Sequence, residues 1–171
     1  IERTMKTDKV YVGKIVTLKV DTVELPNKKY SKREIVEHDP AVAIVAVNDK
    51  DEIILIKQYR KAIEKLIYEI PAGLIEYGEK PKDAAIRELK EETGYFANNM
   101  EYLTEFYSSP GFCTEKIHVF YTEDFEVQKQ SLDEDEFIIK EYKPNKFKFY
   151  LQTVLITSFI LLFMFIPVLI D

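Results

Sequence analysis

Short apolar segments, many of them alternating with polar residues, dominate the chain and predict a protein rich in β-strands. β-Branched residues predict strands over 10–20 and 22–25, and a shorter strand over 34–37. The apolar runs 42–47 and 53–56 flank the turn signal NDKD, and together they predict a β-hairpin.

One segment, DAAIRELKEET, has the residue types of a helix rather than a strand. Pro81 suits the first helical position, where its missing N–H costs nothing, and Gly94 is a natural C-terminal stop. The stretches LIYEIPAGLIE before the helix, and MEYLTEFYSS and KIHVFYTEDF after it, predict further strands. Strands on both sides of one helix predict an α+β domain, with a mixed sheet and the helix packed on it.

The amino-acid composition limits the partners, disulfides and metal ions that can be expected. A net charge of −6 argues against a general nucleic-acid surface. A single cysteine excludes an internal disulfide framework and is typical of a reducing compartment such as the cytoplasm. With two histidines and that one cysteine, a closed zinc site is not expected, whereas the many carboxylates suit magnesium, calcium or manganese.

The predicted helix gathers glutamates on one face. Glu88 and Glu92 are one turn apart with Glu91 beside them, and Arg87 precedes Glu91 by four positions, so that it can orient a carboxylate. Ala85 lies on a different face, which can pack on the sheet. Because like charges repel on a helix, this crowding favours a bound cation.

The loop before the helix adds further oxygen donors, from Glu79 and from the carbonyl group of Ala72. An open site of this kind suits Mg²⁺ bridging to substrate phosphates. The alternative is a solvated charged face with pairs inside the helix, which is the usual meaning of RELKEE taken alone.

The wider spacing resembles the Nudix box: a glycine, a glutamate six positions on, and Arg-Glu-apolar-any-Glu-Glu-any-Gly-apolar eight positions later. Every required position is filled, by Gly73, Glu79, Arg87, Glu88, Leu89, Glu91, Glu92, Gly94 and Tyr95. The chain is therefore similar to Nudix hydrolases, which cleave nucleoside diphosphates linked to another group with Mg²⁺ or Mn²⁺.

This resemblance implies an α/β/α sandwich with a mixed β-sheet and a catalytic loop-helix, preceded here by N-terminal antiparallel strands. It implies that Glu88 and Glu92 are the main metal ligands. Glu91 is implied as a further ligand or a water-orienting carboxylate, Arg87 as the residue that positions the glutamates, and the Ala72 carbonyl as a backbone ligand.

Residues outside the box resemble the ADP-ribose pyrophosphatase branch of the family. Pro110 stands sixteen positions after Gly94, and the segments REIVEHDPAVAI, KQYR, YEIPAG and SPGF are also similar to that branch. The resemblance implies that Arg60 contacts the substrate diphosphate, that Arg33 lies near the adenine, and that Glu69 and Pro110 adjoin the substrate.

A late acidic loop supplies the general base in this branch, and LDEDEFI fits that loop. Glu134 matches the base and Glu136 a further metal ligand, although the register could shift by two positions. Without the resemblance, the same segment would be interpreted as a solvated acidic turn. The implied reaction converts ADP-ribose to AMP and ribose 5-phosphate.

The domain organisation is predicted as N-terminal strands over 1–38 that form a homodimer, a hydrolase domain over 39–141, and an atypical tail over 142–171. The tail is rich in lysine and then uncharged from 150 to 170, which is long enough to span a bilayer. A membrane anchor, a reading-frame artefact and a buried core helix are the alternatives for it.

The sequence is also compatible with three other functions. The chain could hydrolyse another Nudix substrate, such as a nucleotide sugar or an oxidised nucleotide. It could be a ligand-sensing Nudix module without catalysis, or a membrane-attached scaffold that depends on the tail alone.

Overall fold

The computed structural model describes residues 1–129, 132 and 138–142. In chain order these form β1 (Arg3–Val12), β2 (Val16–Glu24), β3 (Tyr30–His38), β4 (Ala41–Ala46), β5 (Leu55–Arg60), β6 (Lys65–Glu69), β7 (Ala72–Leu74), α1 (Pro81–Thr93), β8 (Tyr95–Ala97), β9 (Glu101–Tyr107), β10 (Lys116–Thr122), β11 (Phe125–Val127) and β12 (Ile138–Tyr142).

The first three strands form an antiparallel sheet in the order β1-β2-β3. The predicted strand over 10–20 is wrong, because the chain reverses within it. A hydrogen bond from the Gly13 N–H to the Val16 carbonyl, 2.9 Å long, closes the turn between β1 and β2. The β-branched residues on both sides of Gly13 hid this turn. The third strand is also longer than the predicted 34–37.

A mixed sheet in the order β7-β4-β10-β9 forms the centre of the protein. β10 runs parallel to β4, whereas β7 and β9 run antiparallel to their neighbours. Helix α1 packs on this sheet. Its Ala85 and Leu89 are fully buried in one cluster with Val42, Ile44 and Phe120. The predicted α+β arrangement with a helix on a mixed sheet is confirmed.

The predicted hairpin around NDKD forms its turn, but its two strands separate. The Asn48 side-chain oxygen accepts hydrogen bonds from the N–H groups of Lys50 and Glu52, 3.0 and 2.9 Å long, and Val47 pairs with Ile53 in an isolated bridge. β4 then continues in the central sheet, while β5 joins a separate sheet in the order β12-β5-β6.

The helix begins and ends where the sequence predicts. Pro81 occupies its first turn, and Gly94 ends it with φ 74°, donating its N–H to the Lys90 carbonyl. The short pair β8 and β11 was not predicted. Within the described ranges, no helix combines the length and the apolar character needed to cross a bilayer. The uncharged stretch 150–170 lies outside those ranges.

Candidate active site

Two glutamates of α1 are buried, which a solvated charged face would not produce. Glu88 is 7% exposed and Glu92 is 1% exposed. Burial of a carboxylate is costly unless hydrogen bonds or opposite charge compensate it. These two side chains therefore turn toward strand β7 instead of toward water, and the solvated-face interpretation of RELKEE is wrong for both.

Glu88 lies against the backbone of Gly73 in β7. A Cβ atom at position 73 would stand 2.1 Å from the carboxylate carbon of Glu88 and 2.2 and 2.3 Å from its two oxygens. A side chain at this position would displace the Glu88 carboxylate, so its close approach to β7 depends on glycine. The sequence identified Gly73 by its place in the box but did not reveal its neighbour.

Glu92 is fixed one residue earlier on the same strand. Its Oε2 accepts a hydrogen bond 3.0 Å long from the Ala72 N–H. Ala72, whose carbonyl is a predicted metal ligand, therefore lies beside the carboxylate predicted to share that metal. The structure brings Ala72, Glu88 and Glu92 together at the contact between β7 and α1.

Arg87 holds more carboxylates than the spacing predicted. Its guanidinium binds Glu79 through two hydrogen bonds of 3.0 and 2.9 Å, and it also binds Glu88 at 2.7 Å and Glu91 at 2.9 Å. The Leu74 carbonyl accepts a further hydrogen bond from it. Arg87 thus ties the loop before the helix to the acidic face of the helix.

The charges in this network shift each other's ionisation. The hydrogen bond from Arg87 lowers the pKa of Glu79, against a smaller opposing effect of burial. The same bond is the main reason why the pKa of Arg87 is raised. Both groups therefore stay charged at neutral pH, so the loop remains tethered.

The donor set suits a hard cation, because it consists of carboxylate oxygens and a backbone carbonyl. Within the described ranges, no three acidic, histidine or cysteine side chains converge as a ready-made metal group. In this arrangement Arg87 holds Glu88 and Glu91, and the Ala72 N–H donates to Glu92. The residues fit a divalent cation by type and by location.

Arg60 and Glu69, which the sequence places near the substrate, form an ion pair. The Nε atom of Arg60 lies 3.0 Å from both carboxylate oxygens of Glu69, and its Nη2 lies 2.6 Å from Oε2. The two residues belong to the neighbouring strands β5 and β6. Glu69 comes three positions before Ala72, so this pair is close along the chain to the acidic cluster.

The other predicted substrate residues lie elsewhere. Arg33 on β3 binds Glu2 and Ser31, neither of which belongs to the box. Pro110 is exposed in the loop between β9 and β10, and this loop is tied to β3 because the Val36 N–H donates to the Phe112 carbonyl at 2.7 Å. Glu134 and Glu136 lie outside the described residues.

The mixed sheet, the loop-helix and the buried glutamates together define the Nudix class of hydrolase. A profile of the NUDIX domain matches residues 37–150, and the chain belongs to this family. It is therefore an enzyme of the Nudix hydrolase type, as the box predicted.

Individual similar proteins indicate a branch within the Nudix family. The chain is 52% identical over 139 residues to the ADP-ribose pyrophosphatase of Bacillus subtilis, an alignment that covers 80% of this chain and 75% of that protein. It is 49% identical, with the same coverage, to a protein of Bacillus methanolicus named methanol dehydrogenase activator. A crystal structure of an ADP compounds hydrolase matches with a TM-score of 0.76 and 26% identity, over 85% of this chain and 78% of that one. The resemblance to the ADP-ribose pyrophosphatase branch is confirmed.

Proposed function

We propose that the chain hydrolyses the diphosphate bond of ADP-ribose, giving AMP and ribose 5-phosphate, with Mg²⁺ or Mn²⁺ as cofactor. The choice of ADP-ribose as substrate depends on the 52% identity to a protein named ADP-ribose pyrophosphatase. The buried carboxylates of Glu88 and Glu92 beside β7 support the chemistry, because they concentrate negative charge where a cation would be bound.

In this proposal Glu88, Glu91, Glu92 and the Ala72 carbonyl hold the cation, and Glu136 is a further ligand. When bound, the metal supplies charge neutralisation on the phosphate oxygens. Arg87 keeps the glutamates in place through the hydrogen bonds described above.

The remaining residues act on the substrate. Arg60 binds the diphosphate and offsets the charge that develops on it, while Glu69 and Pro110 adjoin the substrate and Arg33 lies near the adenine. The oxygen of a water molecule forms a new bond to one phosphorus as that atom's bond to the bridging oxygen breaks. Glu134 accepts the proton of that water.

The test is ADP-ribose hydrolysis with and without Mg²⁺, using the wild type and Glu134→Gln. Loss of a general base lowers turnover by about two to four orders of magnitude, and we expect a loss in that range with folding unchanged. Asp133→Asn, in the same acidic segment of the sequence, is the matched control and should retain activity. A fully active Glu134→Gln variant would remove Glu134 from this role, and an equivalent loss in Glu136→Gln instead would move the role there.

Other Nudix substrates are the main alternative. A panel that includes ADP-ribose, a nucleotide sugar and an oxidised nucleotide would identify the preferred leaving group from the phosphate-linked products. A non-catalytic sensing module would release no product from any of them. The filled box positions favour hydrolysis over this alternative.

A second candidate function comes from the relative named methanol dehydrogenase activator, which is 49% identical to this chain. It would make a dehydrogenase a protein partner of the enzyme. Methanol oxidation by a methanol dehydrogenase, measured with and without the chain, tests this. An equal rate in both arms would leave ADP-ribose hydrolysis as the sole proposal.

We also propose a homodimer that forms through the N-terminal strands, 1–38. Large apolar side chains there face solvent, among them Val10, Tyr11 and Val12 at 61%, 58% and 68% exposure. Light scattering should give about twice the chain mass of 20.1 kDa. Val12→Lys should shift the mass toward the monomer, whereas Thr4→Lys on the same strand should not. A monomeric wild type would contradict the proposal.

Residues 39–141 are proposed as the hydrolase domain and 142–171 as a separate tail. A cytoplasmic location is proposed from the single cysteine, and the net charge of −6 supports a partner that is not a nucleic acid.

A further inference from the structure

One buried polar side chain, two residues before Arg60, lacks a hydrogen-bond partner among the described residues. The side-chain oxygen of Gln58, in the middle of β5, is buried without a hydrogen bond in the part of the chain that the structure describes. An unmade hydrogen bond of a buried acceptor costs free energy, whereas an apolar side chain of similar shape would cost nothing at this position. A buried acceptor that finds no partner among the described residues therefore needs another explanation.

The strand register places Gln58 within the proposed substrate surface. Across β5 and β6, Ile56 pairs with Glu69 and Gln58 pairs with Ile67. Residues directly opposite each other, and residues two apart on one strand, share a face of a sheet. Gln58 consequently lies on the same face as Arg60 and Glu69, whereas Lys57 lies on the opposite face.

The ion pair between Arg60 and Glu69 crosses this position. Arg60 follows Gln58 by two residues, and Glu69 stands opposite the residue two positions before Gln58, so the two side chains meet across Gln58. The pair therefore runs diagonally between Gln58 and Ile67 on this face. Diphosphate oxygens compete with a carboxylate for a guanidinium group, so a diphosphate that binds Arg60 would lie beside the Gln58 amide.

We propose that Gln58 is a substrate-binding residue that recognises a hydrogen-bond donor, a hydroxyl or amino group, on the nucleoside diphosphate derivative held by Arg60. This inference rests on the proposed function, because it assumes that Arg60 binds the diphosphate. It assigns to Gln58 a part in specificity, since a substrate that lacks the donor leaves the amide oxygen unpaired.

The experiment compares Gln58→Met, which keeps the length of the side chain, with Lys57→Met on the opposite face of the same strand. We expect the KM of Gln58→Met for ADP-ribose to rise about tenfold with kcat changed much less, because a ground-state hydrogen bond is lost. Its thermal unfolding midpoint should equal or exceed that of the wild type, because a buried unpaired acceptor is removed. Lys57→Met should leave KM unchanged.

A wild-type KM in Gln58→Met would overturn the inference, and so would an equal rise of KM in both variants. A lower unfolding midpoint together with a normal KM would assign Gln58 a structural role instead. If Gln58→Met does not fold, Gln58→Thr provides the same test. Threonine is a good strand former, and its side chain is too short to bring its hydroxyl oxygen to the ligand.

The proposed substrate and the proposed role of Gln58 can be contradicted independently of each other. A wild-type enzyme that leaves ADP-ribose intact but cleaves another diphosphate would overturn the proposed substrate. The Gln58 comparison is then made with that diphosphate, and its result still decides the role of Gln58.

Discussion

Glu92→Gln is expected to lower Mg²⁺-dependent hydrolysis of ADP-ribose by about a thousandfold or more, with the fold intact. Glu92 is 1% exposed, and its Oε2 accepts the Ala72 N–H at 3.0 Å. Glutamine keeps an oxygen that can accept this hydrogen bond, so the packing of β7 against α1 is retained. What the substitution removes is the negative charge of a proposed metal ligand.

Thermal unfolding separates the loss of the ligand from a loss of structure. A ligand that binds the folded state stabilises it, so Mg²⁺ should raise the unfolding midpoint of the wild type more than that of Glu92→Gln. Without metal, the variant should be at least as stable, because one buried charge is gone. Glu76→Gln, at an exposed position of the loop between β7 and α1, is the charge-matched control and should change turnover by no more than about twofold. Full Mg²⁺-dependent turnover in Glu92→Gln would contradict the assignment of Glu92 as a ligand.

The helix of the candidate site could be predicted because its signals are local. Pro81 and Gly94 mark its ends through the conformations that each residue favours, and the spacing of Ala85 and Leu89 identifies its buried face. The extent to which Glu88 and Glu92 are buried is not a local property. It follows from where β7 passes, which depends on the whole sheet.

The strands show the same division between local and long-range information. The turn at Asn48 was predictable, because its side chain bonds the backbone within four residues. The partners of β4 and β5 were not, because β4 pairs with β10, more than seventy positions later. β5 pairs instead with β6 and β12, and its register with β6 places Gln58 on the same face as Arg60 and Glu69. The parts of the site that sequence reasoning missed, the burial of Glu88 and Glu92 and the position of Gln58, are therefore the parts that depend on strand pairing.

Gly73→Ala is expected to reduce hydrolysis by about a hundredfold while changing stability little, because the group it displaces is a proposed metal ligand. The new methyl group would occupy the space of the Glu88 carboxylate, whose atoms stand 2.1 to 2.3 Å from the ideal Cβ position. That carboxylate is the end of a flexible side chain, so it can move away without a shift of the backbone. Rotation of Glu88 would break the 2.7 Å hydrogen bond that it accepts from Arg87. Glu79 and Glu91 would still hold the arginine.

The dependence on metal concentration is the decisive readout for Gly73→Ala. A displaced ligand weakens metal binding, so the variant should need more Mg²⁺ than the wild type to reach half of its own maximal rate. Gly111→Ala is the matched control, because a Cβ atom at that position meets nothing within 4 Å. It should keep both the activity and the Mg²⁺ dependence of the wild type. Wild-type activity in Gly73→Ala would mean that the carboxylate of Glu88 works equally well away from β7, and the close approach of Glu88 to Gly73 would then have no part in catalysis.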